Sequence, residues 1–305
     1  MFRLSSLHSV CLAALLAAGE LGAQAIPTVP SYLPGQQVEL RLVMSTEDAR
    51  DTPPRKTYQT PITLRVIRKS TAGTELEWMA GKTLPLGAEA QPNPILEMVE
   101  KIFEDLHLRV QLDATGRYQG IRNEAELRAK IQEFVLLLVP QATAKIPDPA
   151  ERRRAADAMG KMLTPQALLS AARKEIDLYF GLAGLPLEAG KPLRIKSSAL
   201  NPFGERGTLE GEMEITPVEV DSIRDVAVIE FRQEFNPGTA GSILPGSNVA
   251  AGSDLAAAGA NLTLTDSGEY VLELSSGRVK QVRHVRTILQ DGQPVRVETT
   301  VITVQ

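Results

Sequence analysis

The feature that most constrains this chain is a change of period along it. Near the N-terminus VELRLVMSTE, ITLRVIRKS and GTELEWMAGK alternate apolar and polar residues, the pattern of strands with one face on a core and one in water. The alternation resumes at Pro192 and continues through TLEGEMEITPVEV, VAVIEFRQEF, EYVLELS, VKQVRHVRTIL and PVRVETTVITV. Between these stretches the spacing becomes helical. Ile95, Met98, Val99, Ile102, Phe103 and Leu106 fall on one stripe, with Glu97, Glu100, Lys101 and Glu104 elsewhere. Each β stretch is too short to close on itself, and the helical stripes need a sheet to cover. The expectation is an α+β fold in which a curved antiparallel β-sheet, half-barrel-like, wraps a central helical insertion. Residues 38–82 and 191–305 supply the strands, residues 93–184 are mainly helical, and residues 26–305 form a single domain.

Helix starts are written plainly. Asn93-Pro94, Asp148-Pro149 and Thr164-Pro165 each place a side-chain oxygen at the N-cap and proline at the first helical position, where its missing N–H is not needed. Asn123 with Glu126 has capping-box spacing. The helix opened by Asn123 passes Leu127 and Ile131, enters FVLLLV (Phe134 to Val139), and is expected to stop at Pro140. An apolar stripe that widens to the whole circumference predicts turns surrounded on all sides, by core or by a ligand. Packed core is the plainer reading of FVLLLV, and Phe134, Leu136, Leu137 and Leu138 are the candidate residues if an apolar ligand is bound. Two more helices are expected, about Pro149–Leu163 and Pro165–Ala183. Residues 236–261, rich in Gly, Ala and Ser, read as a mobile loop or a weak helix near Ser253 to Ala258.

One phrase occurs twice. QLDATGRYQGIRN and ELSSGRVKQVRH both set a Gly-Arg pair after polar turn residues, with an aliphatic-Arg pair five residues after the glycine. The reading is a hairpin turn used in two places, with Gly116 and Gly277 at positive φ and no chemistry in either copy.

Function is bounded by what the chain lacks. Arg3, the apolar run Val10 to Ala18 and Ala23-Gln24-Ala25 have the form of a signal peptide cleaved after Ala25. No stretch of about 20 apolar residues follows that could span a membrane. Cys11, the single cysteine, would leave with that segment, so no disulfide, thiol nucleophile or thiolate ligand is expected in the exported chain. A net charge of −4 argues against nucleic acid. Arg152-Arg153-Arg154 reads as a solvated helix face.

Of the possible reacting groups, His107 and His284 read as strand surface residues, and their spacing supports no zinc site. Thr265-Asp266-Ser267-Gly268 resembles the loop of aspartic proteases, but there is no second copy, and an ordinary Asp-Ser-Gly turn is expected. Glu210, Glu212 and Glu214 are spaced as the solvent face of one strand. Trp78 reads as core. No catalytic residue, metal or cofactor is expected, and the chain is read as a non-enzyme.

The segments Asp113 to Ile121, Leu187 to Pro192 with Gly190, and Ser267 to Val279 resemble those of exported bacterial families of unknown function. That resemblance implies a cell-envelope location, periplasmic or extracellular, and a β-rich shell. The pattern is also similar to the lipoprotein-carrier half-barrels of the periplasm, in which a curved antiparallel sheet holds an apolar cavity lidded by helices. Two functions follow as expectations. One is an exported binding protein for an apolar or lipid-like ligand; the other is an envelope scaffold whose partner is a protein. A continuous apolar cavity separates them.

Overall fold

The computed structural model describes residues 24–48, 55–87, 106–200, 208–235 and 262–305. Residues 1–23 of the expected signal segment 1–25, the start of the helix expected from Asn93 and the Gly/Ala/Ser segment 236–261 lie outside the described residues.

The alternating stretches form the strands β2 (Gln37–Asp48), β3 (Arg55–Ser70), β4 (Gly73–Ala80), β6 (His107–Asp113) and β7 (Tyr118–Ile121), with the short β5 (Leu84–Pro85) beside β3. After the helices come β9 (Leu193–Leu200), β10 (Thr208–Asp221), β11 (Val226–Phe235), β12 (Leu262–Glu273), β13 (Arg278–Gln290) and β14 (Gln293–Val304). They make one antiparallel sheet in the order β7-β6-β4-β3-β2-β14-β13-β12-β11-β10-β9. The N-terminal and C-terminal strands therefore meet mid-sheet, with Leu42 opposite Ile302. The sheet does not close, and its curved, half-barrel-like form carries the helices as an insertion between its two edges, β7 and β9.

The expected helical stretch 93–184 is interrupted by the β6–β7 hairpin, which joins the main sheet. The described helices are α1 (Glu124–Thr143), α2 (Pro149–Met162) and α3 (Pro165–Tyr179). Asp148 Oδ1 accepts from Ala150 N at 2.9 Å and Thr164 Oγ1 from Ala167 N at 3.1 Å, as N-caps should. Asn123 does not cap α1. Its amide is committed to β6, accepting from Arg109 N and donating to His107 O, both at 2.9 Å. Nor does Pro140 end α1, which runs on to Thr143. The residue four positions earlier, Leu136, is exposed, so water can reach the carbonyl that proline leaves unbonded.

α1 packs on α2 and α3, and α3 lies on β13. Leu168, Leu169, Ile176 and Tyr179 of α3 are buried, and Tyr179 meets Trp78 edge-on at 5.8 Å. Trp78 is core, as the sequence predicts.

Both copies of the repeated phrase are tight turns, with Gly116 at φ 76° and Gly277 at φ 66°. They share one neighbour, the extended chain that follows β1 (Ala25–Ile26). A Cβ at Gly116 would lie 2.7 Å from Val29 Cγ1, and one at Gly277 would lie 2.6 Å from Val29 O. Ser31 N donates to Ser276 O at 2.7 Å, and β1 pairs with β8 (Leu187–Glu188). Both turns grip one segment and approach it at glycines, where a side chain would collide.

Candidate functional site

The open side of the sheet is where the fold leaves apolar surface without a strand partner. A cavity of about 450 Å3 lies there, lined by Arg117 and Tyr118 at edge β7, Leu193 and Ile195 on edge β9, and Phe180, Gly181, Ala183, Leu185 and Pro186 in the loop between α3 and β8. Its volume falls in the range of ligand pockets, about 300–1,000 Å3.

Each wall has a local cause. β9 presents Leu193 and Ile195 to one face by strand alternation, while Arg194 on the other face pairs with Glu214 at 2.7 Å. Tyr118 and Phe180 stack at 6.1 Å with 23° between their planes. The Tyr118 hydroxyl is buried beside Asp177 without a well-formed hydrogen bond; burial, and after it the Asp177 charge, push its phenol above the ordinary range. The loop is held by Thr28, whose Oγ1 donates to Leu185 O at 2.6 Å and whose O accepts from Gly184 N at 3.0 Å. Phe180 and Ala183 also line a second, small void of about 10 Å3 beneath Tyr32 and Tyr179.

The residues expected from sequence to meet a ligand lie elsewhere, and none lines this cavity. Leu138 is 2% exposed and packed, and Phe134 is half-buried against the core. Leu136 and Leu137 are 68% and 60% exposed, so the turns at FVLLLV are not surrounded on all sides. Phe134 and Leu138, one turn apart, lie on the inward face of α1, and Leu136 and Leu137 lie away from it. The wall that does exist left little trace in the sequence, because its members are 78 residues apart at the extremes and sit at element ends rather than in a periodic run.

A second constellation is charged and lies on the sheet face that carries the core. Arg286 donates Nε to Asp266 Oδ1 at 2.8 Å and Nη2 to Asp266 Oδ2 at 2.7 Å. His284 Nε2 lies 3.3 Å from Asp266 Oδ2, and its ring stacks on Phe231 at 6.0 Å. Next along the row, Glu298 meets Lys174 of α3 at 3.2 Å and Arg296 at 2.7 Å. Two readings are corrected here. His284 is 6% exposed, not a surface residue, and Asp266-Ser267-Gly268 lies inside β12 rather than in a turn. The register explains both, since Asp266 and His284 fall on the inward-facing positions of adjacent strands. Against the upward push of burial, Arg286 and His284 hold the Asp266 carboxyl down to about 2. Asp266 faces an arginine where a protease aspartate faces a second carboxylate, and Ser267 is exposed on the opposite face.

The remaining candidates stand as expected. His107 is on the exposed face of β6, 3.0 Å from Glu77. Glu210 and Glu212 are exposed on β10, and Arg152, Arg153 and Arg154 are exposed on α2. Among the described residues no group of His, Cys, Asp and Glu is arranged to hold a metal ion, and no helix is long and apolar enough to cross a membrane.

No protein-family model matches the chain, and no curated protein matches it. The resemblance to exported bacterial families thus rests on the residues that carry it. Among solved structures the chain is similar to one described as lipid–protein interactions in lipovitellin, with 10% identity and a TM-score of 0.43 over 90% of this chain and 25% of that one. It therefore spans about a quarter of the lipovitellin chain. A second is DynF from the dynemicin biosynthesis pathway of Micromonospora chersina, with 8% identity and a TM-score of 0.20 over 93% of this chain and 85% of that one. Both likenesses are too faint to bear on function.

Proposed function

We propose that this chain is an exported, non-enzymatic binding protein that holds a small apolar or lipid-like molecule in the seam between β7 and β9. The observation that carries the proposal is the cavity itself: about 450 Å3, walled by Tyr118, Phe180, Leu193, Ile195 and neighbouring apolar groups, at the place where the sheet fails to close. Export is part of the proposal, and N-terminal sequencing of the processed protein should begin at Ile26.

Titration with Nile red, a neutral apolar dye, tests the binding claim. The parent should enhance its fluorescence saturably at one site, and Leu193→Trp, which fills the seam, should weaken binding at least about tenfold while keeping the parent melting profile. Saturable binding unchanged by Leu193→Trp would place the site elsewhere, and no binding by the parent would remove the proposal.

One observation favours a second reading, an envelope protein that docks on another protein. Leu136 and Leu137 form an exposed apolar pair on α1. Under that reading Leu136→Asp with Leu137→Asp abolishes a pull-down partner and leaves dye binding alone.

A further inference from the structure

We infer that the seam ligand is a single-chain amphiphile with an anionic head, and that Arg117 reads the head; the inference rests on the seam being the binding site. The two Gly-Arg phrases fold into similar turns but use their arginines differently. In the second copy Arg278 donates Nη2 to Glu273 Oε2 at 2.8 Å and Nε to Ser276 Oγ at 3.0 Å, so its charge is neutralised inside the turn. In the first copy the acid of the turn, Asp113, stands one residue nearer the glycine and is engaged by donors other than the Arg117 guanidinium, although that charge still helps to lower its carboxyl. Asp113 Oδ1 accepts from Thr115 N at 2.8 Å, Thr115 Oγ1 at 2.7 Å and Arg117 N at 3.0 Å, and Oδ2 accepts from Gln119 Nε2 at 2.8 Å.

The Arg117 guanidinium is left with one bond, from Nε to Gly184 O at 3.3 Å. Among the described residues no carboxylate lies within salt-bridge distance of it. Its stem is seated by the absence of a side chain at Gly184, where a Cβ would lie 2.5 Å from Arg117 Cγ and where φ is 73°. A positioned arginine with its Nη groups uncommitted thus stands on the cavity wall, and the rest of that wall is apolar apart from a tyrosine whose hydroxyl is buried away. A planar guanidinium is suited to bidentate recognition of a carboxylate or phosphate oxygen pair. The apolar remainder suits an unbranched hydrocarbon body, and an ammonium head would meet like charge.

The test is titration calorimetry of the full chain with dodecanoate, dodecanol and dodecyltrimethylammonium, each below its micellar concentration. The parent should bind dodecanoate at least about tenfold more tightly than dodecanol, one charge-assisted contact being worth that much, with the ammonium weakest. Arg117→Gln should lower dodecanoate to the level of dodecanol and leave dodecanol unchanged, Arg117→Lys should restore part of the preference, and Arg278→Gln should leave it intact. Equal affinity for dodecanoate and dodecanol in the parent, or a preference that survives Arg117→Gln, overturns the head-group assignment while the seam site stands. Failure of all three amphiphiles to bind overturns the seam site and this inference with it.

Discussion

At the scale of single residues, the Asp266 ion pair sets the clearest energetic expectation. Asp266 is 3% exposed and Arg286 is its bidentate partner, so Asp266→Asn leaves a guanidinium buried without its counter-charge. Urea denaturation should show a loss of about 3–5 kcal/mol. The pH dependence has a defined sign. The folded Asp266 carboxyl titrates at about 2 against an ordinary 3.8, so its contribution is present above 3.8 and lost as pH falls through about 2. It amounts to about 2 kcal/mol. Between pH 5 and 2 the parent should therefore lose more stability than Asp266→Asn does, and equal slopes would show that the pair is not formed. Glycines separate strain from crowding in the same way. Gly35 has φ 74° and nothing within 4 Å of a Cβ, whereas at Gly277 a Cβ meets the Val29 backbone. Gly35→Ala should cost about 1 kcal/mol and Gly277→Ala measurably more, read as the difference in melting midpoints.

At the scale of elements, α1 shows what periodicity can and cannot tell. A run such as FVLLLV announces apolar side chains but not how many neighbours arrive to cover them. The fold covers two flanks of α1, against α2 and α3, and leaves Leu136 and Leu137 in water. Leu137→Gln should thus change stability by no more than about 0.5 kcal/mol, and Leu138→Gln should cost about 2–4 kcal/mol through lost burial and an unsatisfied amide. Similar losses for both would mean that α1 is enclosed after all. Strands were more legible than helices, because alternation encodes which face is inward and the register follows from it. Asn123 was misread because its side-chain amide serves a long-range partner in β6 as readily as the helix beside it. The Asp-Ser-Gly segment was misread because turn chemistry in a sequence does not exclude a strand whose Gly268 lies under the Phe231 ring, 2.6 Å from where a Cβ would be.

At the scale of the whole molecule, the curved open sheet with its helical insertion could be read from the two flanking sets of alternating strands, and the seam could not. Pairing β2 with β14 puts the first and last long strands mid-sheet and sends β7 and β9 to opposite edges; the α1–α3 connection brings those edges to either side of one loop. Arg117 and Ile195 share a cavity only because of that topology. The repeated phrase is architecture in both copies, but in the first one Asp113 is engaged by Thr115, Gln119 and the Arg117 backbone, and the Arg117 side chain makes one bond, to Gly184 O.

The most direct test of the seam as the binding site is hydrogen exchange of the protein with and without dodecanoate. The account expects slowed exchange confined to Tyr118–Ile121, Phe180–Leu185 and Leu193–Ile195, with α1 unchanged. Protection at Leu136 and Leu137 while both sheet edges exchange as before would contradict it.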